Sequence, residues 1–585
     1  MLTRQTDIGT RRSPTVDTVR RRESGTGPRM GLASVVLIEA VLAGGLIVWA
    51  VIGNPWGIAA MALALVASLG VVPVGTDGSI AQRLHRRLSF RWSRWRRTIA
   101  DLAPAPFDIP ASSGRAKPTA PTADVIGARW VARTLVTMIR VEPGGHEPTF
   151  LTPNGADPRT ETGQLIPFDV LAACVQTYDI RLRSIDVISH SMRAHGTGPV
   201  TATYLRTLGP LPAIARRSTF VVLRLDPLDC PDAVARRGGG AIGALRTATT
   251  ATRRVAARLT EHGLHATVLS AAEITAAGSQ LLDGAPLESA AEDWRSVSLG
   301  ALRMRTGAID PAMLAGLRDF WVASAVSTTV TVRMRRSGDE VEVAGFARVG
   351  ETGANSAQWP HTPWPHALRP LDGRQFDALA LSLPIAKPAH LDRNIATLHG
   401  DAALAALRSL KLSVTGCGQL IGADRSGRAV AMRVAGPDIP SVIIAADLTF
   451  LVQVLLRAVA IGVSVVVYTD RAHRWAPAMA AVGDRSAFGL ASDQSRPRGP
   501  AIMVVVDGVP RPQTPPGVTV VTALPPGVGV PPVGDATLTL QQNPRAPHCI
   551  TLTTPTSELD ITMVATPDEW RLIGAHPGPI APVAH

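Results

Sequence analysis

The chain has 585 residues, of which 46% are hydrophobic and only 4% aromatic, and it carries a formal net charge of +13. This length suffices for about three to four ordinary domains with large apolar cores. The positive excess is almost entirely arginine and lacks the aromatic stacking positions of nucleic-acid binders, which argues against a nucleic-acid partner and favours an anionic membrane surface.

The N-terminal part contains two long apolar runs. Residues 1–30 are polar and rich in arginine, and we expect a disordered basic tail. Residues 31–74 contain the runs 31–52 (GLASVVLIEAVLAGGLIVWAVI) and 56–74, joined by Gly-Asn-Pro. Each run is long enough to cross a hydrocarbon core of about 30 Å. The length and late start of the first run, and the second run that follows at once, argue against a signal peptide. The pattern predicts a two-helix transmembrane hairpin.

The charges flanking this segment predict its orientation. Arginines cluster before and after the two runs, whereas the turn between them has no charge. The positive-inside rule places such flanks in the cytoplasm. The sequence therefore predicts a multi-pass protein of the plasma (inner) membrane, with both termini and the soluble bulk in the cytoplasm.

Five residues of the two runs are candidates for membrane or partner contact. Glu39 is a carboxylate within an apolar run, which is costly in a bilayer unless it is protonated or paired. It either contacts a partner helix or a conduction path, or it is protonated and hydrogen-bonded locally, and the sequence leaves both interpretations open. Gly44 and Gly45 permit close packing of helices. Trp49 and Trp56 are expected at the membrane interface.

Residues 75–100 are predicted to form a basic amphipathic juxtamembrane helix. In RLHRRLSFRWSRWRR, residues 83–97, apolar side chains recur at helical spacing between arginines. Nucleic-acid binding is the competing interpretation, but the position after an apolar segment favours anionic lipid. The candidate contact residues are Arg83, Arg86, Arg87, Arg91, Trp92, Arg94, Trp95, Arg96 and Arg97.

The remainder is predicted to be α/β. Residues 101–124 read as a linker, 125–349 as a first α/β region, 350–370 as a Pro/Trp/Gly-rich connection and 371–585 as a second α/β region. In the first region we expect a strand at 219–225 and a long helix at 233–262. In the second region, continuous apolar strands such as 463–468 and 501–506 alternate with helices. This alternation is typical of a Rossmann-like, mostly parallel sheet.

No strong catalytic, cofactor or metal signature occurs in the sequence. It contains no P-loop, no H-E-x-x-H, no G-x-S-x-G and no paired Cys/His spacing. The glycines of RRGGGAIGAL match G-x-G-x-x-G but follow the preceding strand by a dozen residues, so we interpret them as a flexible helix start. The four scattered cysteines are interpreted as buried structural thiols, which favours a reducing compartment.

Two loops remain weak ligand-site hypotheses. Asp226, Asp229 and Asp232 follow a strand, where they serve either a metal or sugar-nucleotide site or, as we favour, loop and helix-capping roles. The segment 469–471 follows a buried strand, at the position where open α/β sheets bind ligands.

Three sequence blocks, at 167–191, 208–264 and 418–475, resemble the EccE component of the mycobacterial type VII (ESX) secretion system. The resemblance implies an actinobacterial, structural, non-catalytic subunit of a membrane complex that exports proteins across the mycobacterial cell envelope. It implies EccB-, EccC- and EccD-like partners, with EccC as the ATPase, which fits the missing P-loop. It supplies no catalytic, cofactor-binding or metal-binding residues. The alternative is a membrane-anchored Rossmann-like enzyme such as a glycosyltransferase.

Overall fold

A computed structural model describes two compact units, Met1–Arg97 and Thr98–His585. The described residues are 32–52, 55–71, 84, 87–88, 90, 104–109, 125–143, 147–152, 155–156, 165–196, 198–209, 211, 213–300, 302–311, 313–314, 325–352, 368–385, 395–492, 501–515, 517–529 and 536–574.

The first unit contains two helices, α1 (Leu32–Ile52) and α2 (Pro55–Val71). Pro55 occupies the first position of α2, where the missing N–H leaves no hydrogen bond unmade. The two helices pack closely at Gly45, because a Cβ placed there would lie 2.6 Å from the Cβ of Ala64.

None of the helices in the described ranges combines the length and apolar character that a bilayer crossing requires. The 17 residues of α2 extend about 26 Å, less than a hydrocarbon core of about 30 Å. The 21 residues of α1 include the carboxylate of Glu39. The predicted transmembrane hairpin is therefore wrong, and so is the predicted multi-pass location in the plasma membrane with cytoplasmic termini.

The second unit is a mixed α/β structure. Its described helices are α3 (Phe168–Cys174), α4 (Pro199–Leu208), α5 (Pro231–Arg236), α6 (Gly240–Glu261), α7 (Ala271–Leu281), α8 (Gln375–Leu381), α9 (Gly400–Ser409), α10 (Leu448–Ala460), α11 (Ala476–Val482) and α12 (Pro567–Ile573).

Its described strands are β1 (Phe107–Ile109), β2 (Ile126–Val131), β3 (Thr134–Glu142), β4 (Thr149–Thr152), β5 (Gly155–Ala156), β6 (Gln176–Thr177), β7 (Ile180–Arg181), β8 (Ser184–Met192), β9 (Arg216–Leu225), β10 (His265–Val268), β11 (Ala290–Glu292), β12 (Val297–Leu299), β13 (Leu302–Ile309), β14 (Ser327–Ser337), β15 (Glu340–Thr352), β16 (Leu368–Pro370), β17 (Leu398–His399), β18 (Gln419–Ala423), β19 (Ala429–Met432), β20 (Ser441–Ala445), β21 (Val463–Thr469), β22 (Phe488–Leu490), β23 (Ala501–Asp507), β24 (Thr519–Leu524), β25 (Leu538–Asn543), β26 (Ala546–Thr553) and β27 (Glu558–Met563).

The first sheet is antiparallel throughout its described pairs. Its order is β1-β2-β3-β9-β8-β14-β15-β13-β12-β11, with β10, β16 and β17 on β3, β13 and β15. Side chains alternate between its two faces, as Val221 and Val222 of β9 show by joining different apolar cores. Helices α3, α6 and α9 cover one face, and α7 and α8 cover the other. Both faces of the central strands are therefore buried.

The second sheet combines two kinds of pairing. Its order is β22-β21-β23-β24-β20-β25-β26-β27-β18-β19-β4-β5. The strands from β22 to β25 pair in parallel, whereas those from β25 to β5 pair antiparallel. Helix α10 packs on this sheet through Phe450 and Leu455.

The structure corrects the predicted fold class. The chain is α/β, but its sheets are large and antiparallel or mixed, so the predicted Rossmann-like, mostly parallel second region is wrong. The connection between β25 and β26, at residues 544–545, is far too short for a parallel crossover and forces a hairpin. Strands β4 and β5 come from the chain before residue 160 yet complete the second sheet.

Candidate functional site

Three deeply buried charged residues form an Arg–Asp–Arg cluster on adjacent strands of the first sheet. Asp186 on β8 lies directly opposite Arg333 on β14, and Arg224 comes from β9. Arg333 donates from Nε to Asp186 Oδ1 at 2.8 Å and from Nη2 to Oδ2 at 2.9 Å. Arg224 donates from Nε to Oδ2 at 2.9 Å. All three side chains are almost completely buried, so this cluster joins three strands and is inaccessible to a substrate.

A second buried network has the order of an acid–base–hydroxyl triad. His190 bonds Thr329 Oγ1 through Nδ1 at 2.8 Å and Asp283 Oδ1 through Nε2 at 2.9 Å. Ser327 donates to the other oxygen of Asp283 at 2.8 Å, and Arg348 donates to Thr329 Oγ1 at 2.9 Å. Burial by itself raises the pKa of Asp283, but His190, Ser327 and Arg348 hold that pKa below its ordinary value.

This network lacks access for a reacting molecule. His190 is 2% exposed and Thr329 is 1% exposed, and both hydrogen-bond inside the protein. A nucleophile must approach its substrate to about 3 Å, which burial of this degree prevents. The arrangement therefore holds β8, β14 and the turn after α7 together rather than performing nucleophilic catalysis.

The predicted crevice at 469–471 lies where parallel strands end. Thr469 ends β21 and is paired with Asp507, the last residue of β23. Thr469 Oγ1 donates to Asp507 Oδ2 at 2.9 Å, Trp475 Nε1 donates to the same oxygen at 3.0 Å, and Arg471 pairs with Oδ1. Burial by itself raises the pKa of Asp507, but the bonds from Trp475, Thr469 and Arg471 lower it overall. The polar groups of the crevice thus satisfy one another.

The three aspartates that follow β9 differ in how deeply they are buried. The Asp226 side chain is fully buried, pairs with Arg133 at 3.0 Å and Arg183 at 2.8 Å, and accepts from the Leu228 N–H at 3.1 Å. Asp229 and Asp232 are exposed. Asp226 therefore caps the short 3-10 turn that follows β9, which agrees with the favoured loop and capping interpretation.

The glycine run after α5 forms a turn and a close helix contact. Gly238, Gly239 and Gly240 all have positive φ, which other residues rarely adopt. A Cβ at Gly243 would lie 2.2 Å from the carbonyl oxygen of Val234, so only glycine permits this approach of α6 to α5. The run starts a helix against another helix, and not after a strand as a dinucleotide site requires.

Metal and thiol chemistry can be assessed only within the described residues. There, no group of three His, Cys, Asp or Glu side chains is arranged to hold a metal ion. All four cysteines fall in this part of the chain, and none of them forms a disulfide. Burial raises the pKa of Cys174 and Cys230, which disfavours the reactive thiolate.

The predicted contact residues of the N-terminal unit are only partly described. Glu39, Gly44, Trp49 and Trp56 are exposed, and Gly45 packs against α2. Arg87 is exposed; the remaining candidates, Arg83, Arg86, Arg91, Trp92, Arg94, Trp95, Arg96 and Arg97, lie outside the described residues. Their contacts with lipid or with a partner stay predictions.

Sequence reasoning missed the buried ion pairs, although the sequence contains a signal for them. Asp186, Arg224 and Arg333 interrupt apolar strands at positions that should be buried. The same is true of Arg457 in the apolar helix α10, which donates from Nε to Glu569 Oε1 of α12 at 2.7 Å. A charge within a buried segment predicts a partner, but the partners here are 38 to 147 residues away.

Comparison with known proteins finds similarity to components of type VII secretion systems. Residues 213–309 match the family model described as "Putative type VII ESX secretion system translocon, EccE". The ESX-1 secretion system protein EccE1 of Mycolicibacterium smegmatis is 29% identical over 182 residues, which is 31% of this chain and 36% of that protein. The ESX-5 protein EccE5 of Mycobacterium marinum is 24% identical over 275 residues, 45% of this chain and 65% of that protein.

A longer match covers more than half of this chain. The ESX-2 secretion system protein EccE2 of Mycobacterium tuberculosis is 26% identical over 358 residues, 57% of this chain and 62% of that protein. The chain thus matches between about a third and two thirds of the length of these curated relatives. The predicted resemblance to the EccE family of ESX secretion components is confirmed.

Proposed function

We propose that the chain is a structural, non-catalytic subunit of a type VII (ESX) secretion complex that exports proteins across the mycobacterial cell envelope. The observation that carries the proposal is the match of residues 213–309 to the EccE family model. The partners proposed are the EccB-, EccC- and EccD-like subunits of the same complex. The predicted contacts of Glu39 and the basic segment 83–97, with partner helices and anionic lipid, belong to this proposal.

The chemistry of the described residues supports a scaffold role. The carboxylates Asp186, Asp226, Asp283 and Asp507 each accept hydrogen bonds from two or more side chains of this protein. Such closed networks fix strands and helix ends in place. They leave none of these four groups poised for proton transfer to a substrate. The membrane-anchored enzyme alternative gains no support from this geometry.

Export from the native host tests the proposal. A strain lacking the chain should lose type VII export, and the wild-type chain should restore it. Thr469→Val and Arg471→Gln remove donors of the crevice without altering the cores, and both variants should restore export as well as the wild type does. Loss of export with either variant, while the other complex subunits still co-purify with it, would instead favour an enzymatic role.

A further inference from the structure

A proline-rich crossover connects two neighbouring strands of the second sheet. Strands β23 and β24 pair in parallel, so the chain must return from the end of the first to the start of the second, and residues 508–518 (GVPRPQTPPGV) make this return. Such a connection usually contains an α-helix, but proline in a helix interior breaks it. Residues 509–515 form neither helix nor strand. We call residues 509–515 the proline strap.

Both ends of the crossover are anchored on a small apolar core. Val509 and Val518 pack against Val504 and Val506 of β23 and Val520 of β24. This core is separate from the larger one to which α10 belongs, and none of the described helices contributes a residue to it. Within the described part of the chain, the crossover therefore takes the place that a helix has in other parallel connections.

The crossover is longer than the return requires. A glycine precedes each anchoring valine, and Gly508 and Gly517 have φ of +77° and +85°, which glycine adopts far more readily than other residues. Thr519 at the start of β24 pairs with Met503, four residues before Asp507, so the chain must travel back about 13 Å. Eleven residues separate Asp507 from Thr519 and extend to about 34 Å as polyproline II. The excess length allows the strap to arch outward between its anchors.

The strap presents an accessible, unbonded surface. Pro510, Arg511, Gln513 and Pro515 are exposed, and Pro512 is half-buried. Among the described residues, no hydrogen bond involves a backbone group of the strap, and Arg511 forms no ion pair with another described residue. The carbonyl oxygens of the strap and the guanidinium of Arg511 are therefore available to another molecule.

The composition of the strap restricts what that molecule can be. Each proline fixes φ and lacks an N–H, so the strap favours an extended polyproline II conformation and cannot pair fully as a strand with another sheet. Its exposed side chains include no aromatic ring on which nucleic-acid bases could stack. Its single charge, Arg511, is far fewer than the four to eight basic residues that attract anionic lipid.

We propose that the proline strap docks into an aromatic-lined groove on another subunit of the complex. Grooves of this kind hold proline rings between aromatic side chains, whose N–H or O–H groups bond the free carbonyl oxygens of a polyproline II segment. A carboxylate beside the groove pairs with Arg511. Because the strap is already extended and anchored at both ends, it loses little conformational freedom on binding. The inference rests on the proposed function and adds the place and chemistry of one contact.

Photo-crosslinking in the native host tests this contact. A benzoylphenylalanine replaces Gln513, an exposed residue between the prolines, in the full-length tagged chain, and cross-linked peptides are identified by mass spectrometry. The expected product contains a tryptophan- or tyrosine-bearing peptide from a protein that also co-purifies with the wild-type chain. Cross-links only to lipid or nucleic acid, or only to peptides without aromatic residues, would overturn the inference.

Substitutions separate docking from folding. Arg511→Glu changes an exposed side chain and should leave the melting temperature unchanged, yet it should reduce capture of the cross-linked protein about fivefold or more. The double change Pro510→Ala and Pro515→Ala loosens the strap and should also reduce capture. The matched control alters the other exposed Pro-Arg pair of this sheet, at the β25–β26 turn, by Pro544→Ala and Arg545→Glu, and should leave capture unchanged.

Failure of the docking inference and failure of the proposed function give different results. If Arg511→Glu and the double proline variant both capture the complex as well as the wild type does, the strap is not a docking surface, and the scaffold role stands. If the wild-type chain captures no secretion subunit at all, the proposed function fails, and the inference fails with it.

Discussion

Replacing Asp186 by asparagine removes the carboxylate that Arg224 and Arg333 share in the centre of the first sheet. The change conserves shape but leaves two guanidinium groups buried, 1–2% exposed, without this counter-charge. Arg224 keeps its bonds to the carbonyl oxygens of Ile385 and Leu383, at 3.0 and 3.2 Å, but these carry no full negative charge.

The expected loss of stability is large because burial shields the cluster from water. Removing one partner of a buried ion pair costs about 3–5 kcal/mol, since the remaining charge cannot be hydrated. Asp186 serves two arginines, so we expect a loss of about 4 kcal/mol or more in the free energy of unfolding. This is a substantial part of the total stability of about 5–15 kcal/mol that folded proteins have.

Urea unfolding of the full-length chain, followed by tryptophan fluorescence, measures this loss. Asp186→Asn should lower the midpoint by about 1 M or more. Asp560→Asn is the control, because Asp560 pairs at the surface with Arg425, whose side chain is 85% exposed. That control should cost less than about 1 kcal/mol. An Asp186→Asn variant within about 1 kcal/mol of the wild type would refute the argument that this cluster is unsolvated and structurally required.

Three further changes test other parts of the structure. Burial raises the pKa of Glu351 to about 7, so the folded state binds this proton more tightly than the unfolded state does, and the free energy of unfolding should fall as pH rises from about 4.5 to 7. Glu351→Gln should abolish this pH dependence and raise the free energy of unfolding by about 1–2 kcal/mol at pH 8. An unchanged pH dependence in the variant would contradict the assignment to Glu351. Glu569→Gln should lower the free energy of unfolding by about 3 kcal/mol, because it removes the carboxylate that pairs with the buried Arg457, and it should speed amide exchange in α12. The control, Asp568→Asn, changes a half-exposed carboxylate and should not speed this exchange. Equal exchange rates in the two variants would disprove the role of the Arg457–Glu569 pair. Gly45→Val should force α1 away from Ala64 and thereby speed amide exchange in α1. Gly44→Val is the control and should not speed this exchange, because a Cβ at Gly44 meets no atom within 4 Å. Identical exchange in the two variants would show that α1 and α2 do not pack at Gly45.

Local patterns in the sequence identified individual helices and strands better than they identified which strands pair. The predicted strand at 219–225 forms the C-terminal part of β9, and the predicted strands at 463–468 and 501–506 lie within β21 and β23. The predicted helix at 233–262 is interrupted, because Gly238 and Gly239 adopt positive φ and divide it into α5 and α6. Apolar periodicity is a local property, which is why it located these segments.

The arrangement of the sheets depended on contacts between distant residues. Parallel and antiparallel strands have similar compositions once both of their faces are buried. The sequences of β18 and β19 therefore gave no sign that these strands belong to the same sheet as the parallel strands β20 to β25. The two apolar runs near the N-terminus formed helices α1 and α2, but apolar content by itself also predicted a bilayer crossing that these helices do not support. The glycine of their contact, Gly45, was recognised as a packing position, but Ala64 was not recognised as its neighbour.

The candidate site was anticipated only in part. The predicted crevice at 469–471 was placed correctly at strand ends, but its closure by Asp507 and Trp475 depends on residues that no local pattern connects.

Affinity capture of the full-length, C-terminally tagged chain from its native host in mild detergent, followed by mass spectrometry, tests the central claim most directly. The account predicts that EccB-, EccC- and EccD-like subunits of one type VII secretion system are recovered together with the chain in a large assembly. Recovery of the intact, folded chain alone would contradict the claim that it is a structural subunit of such a complex.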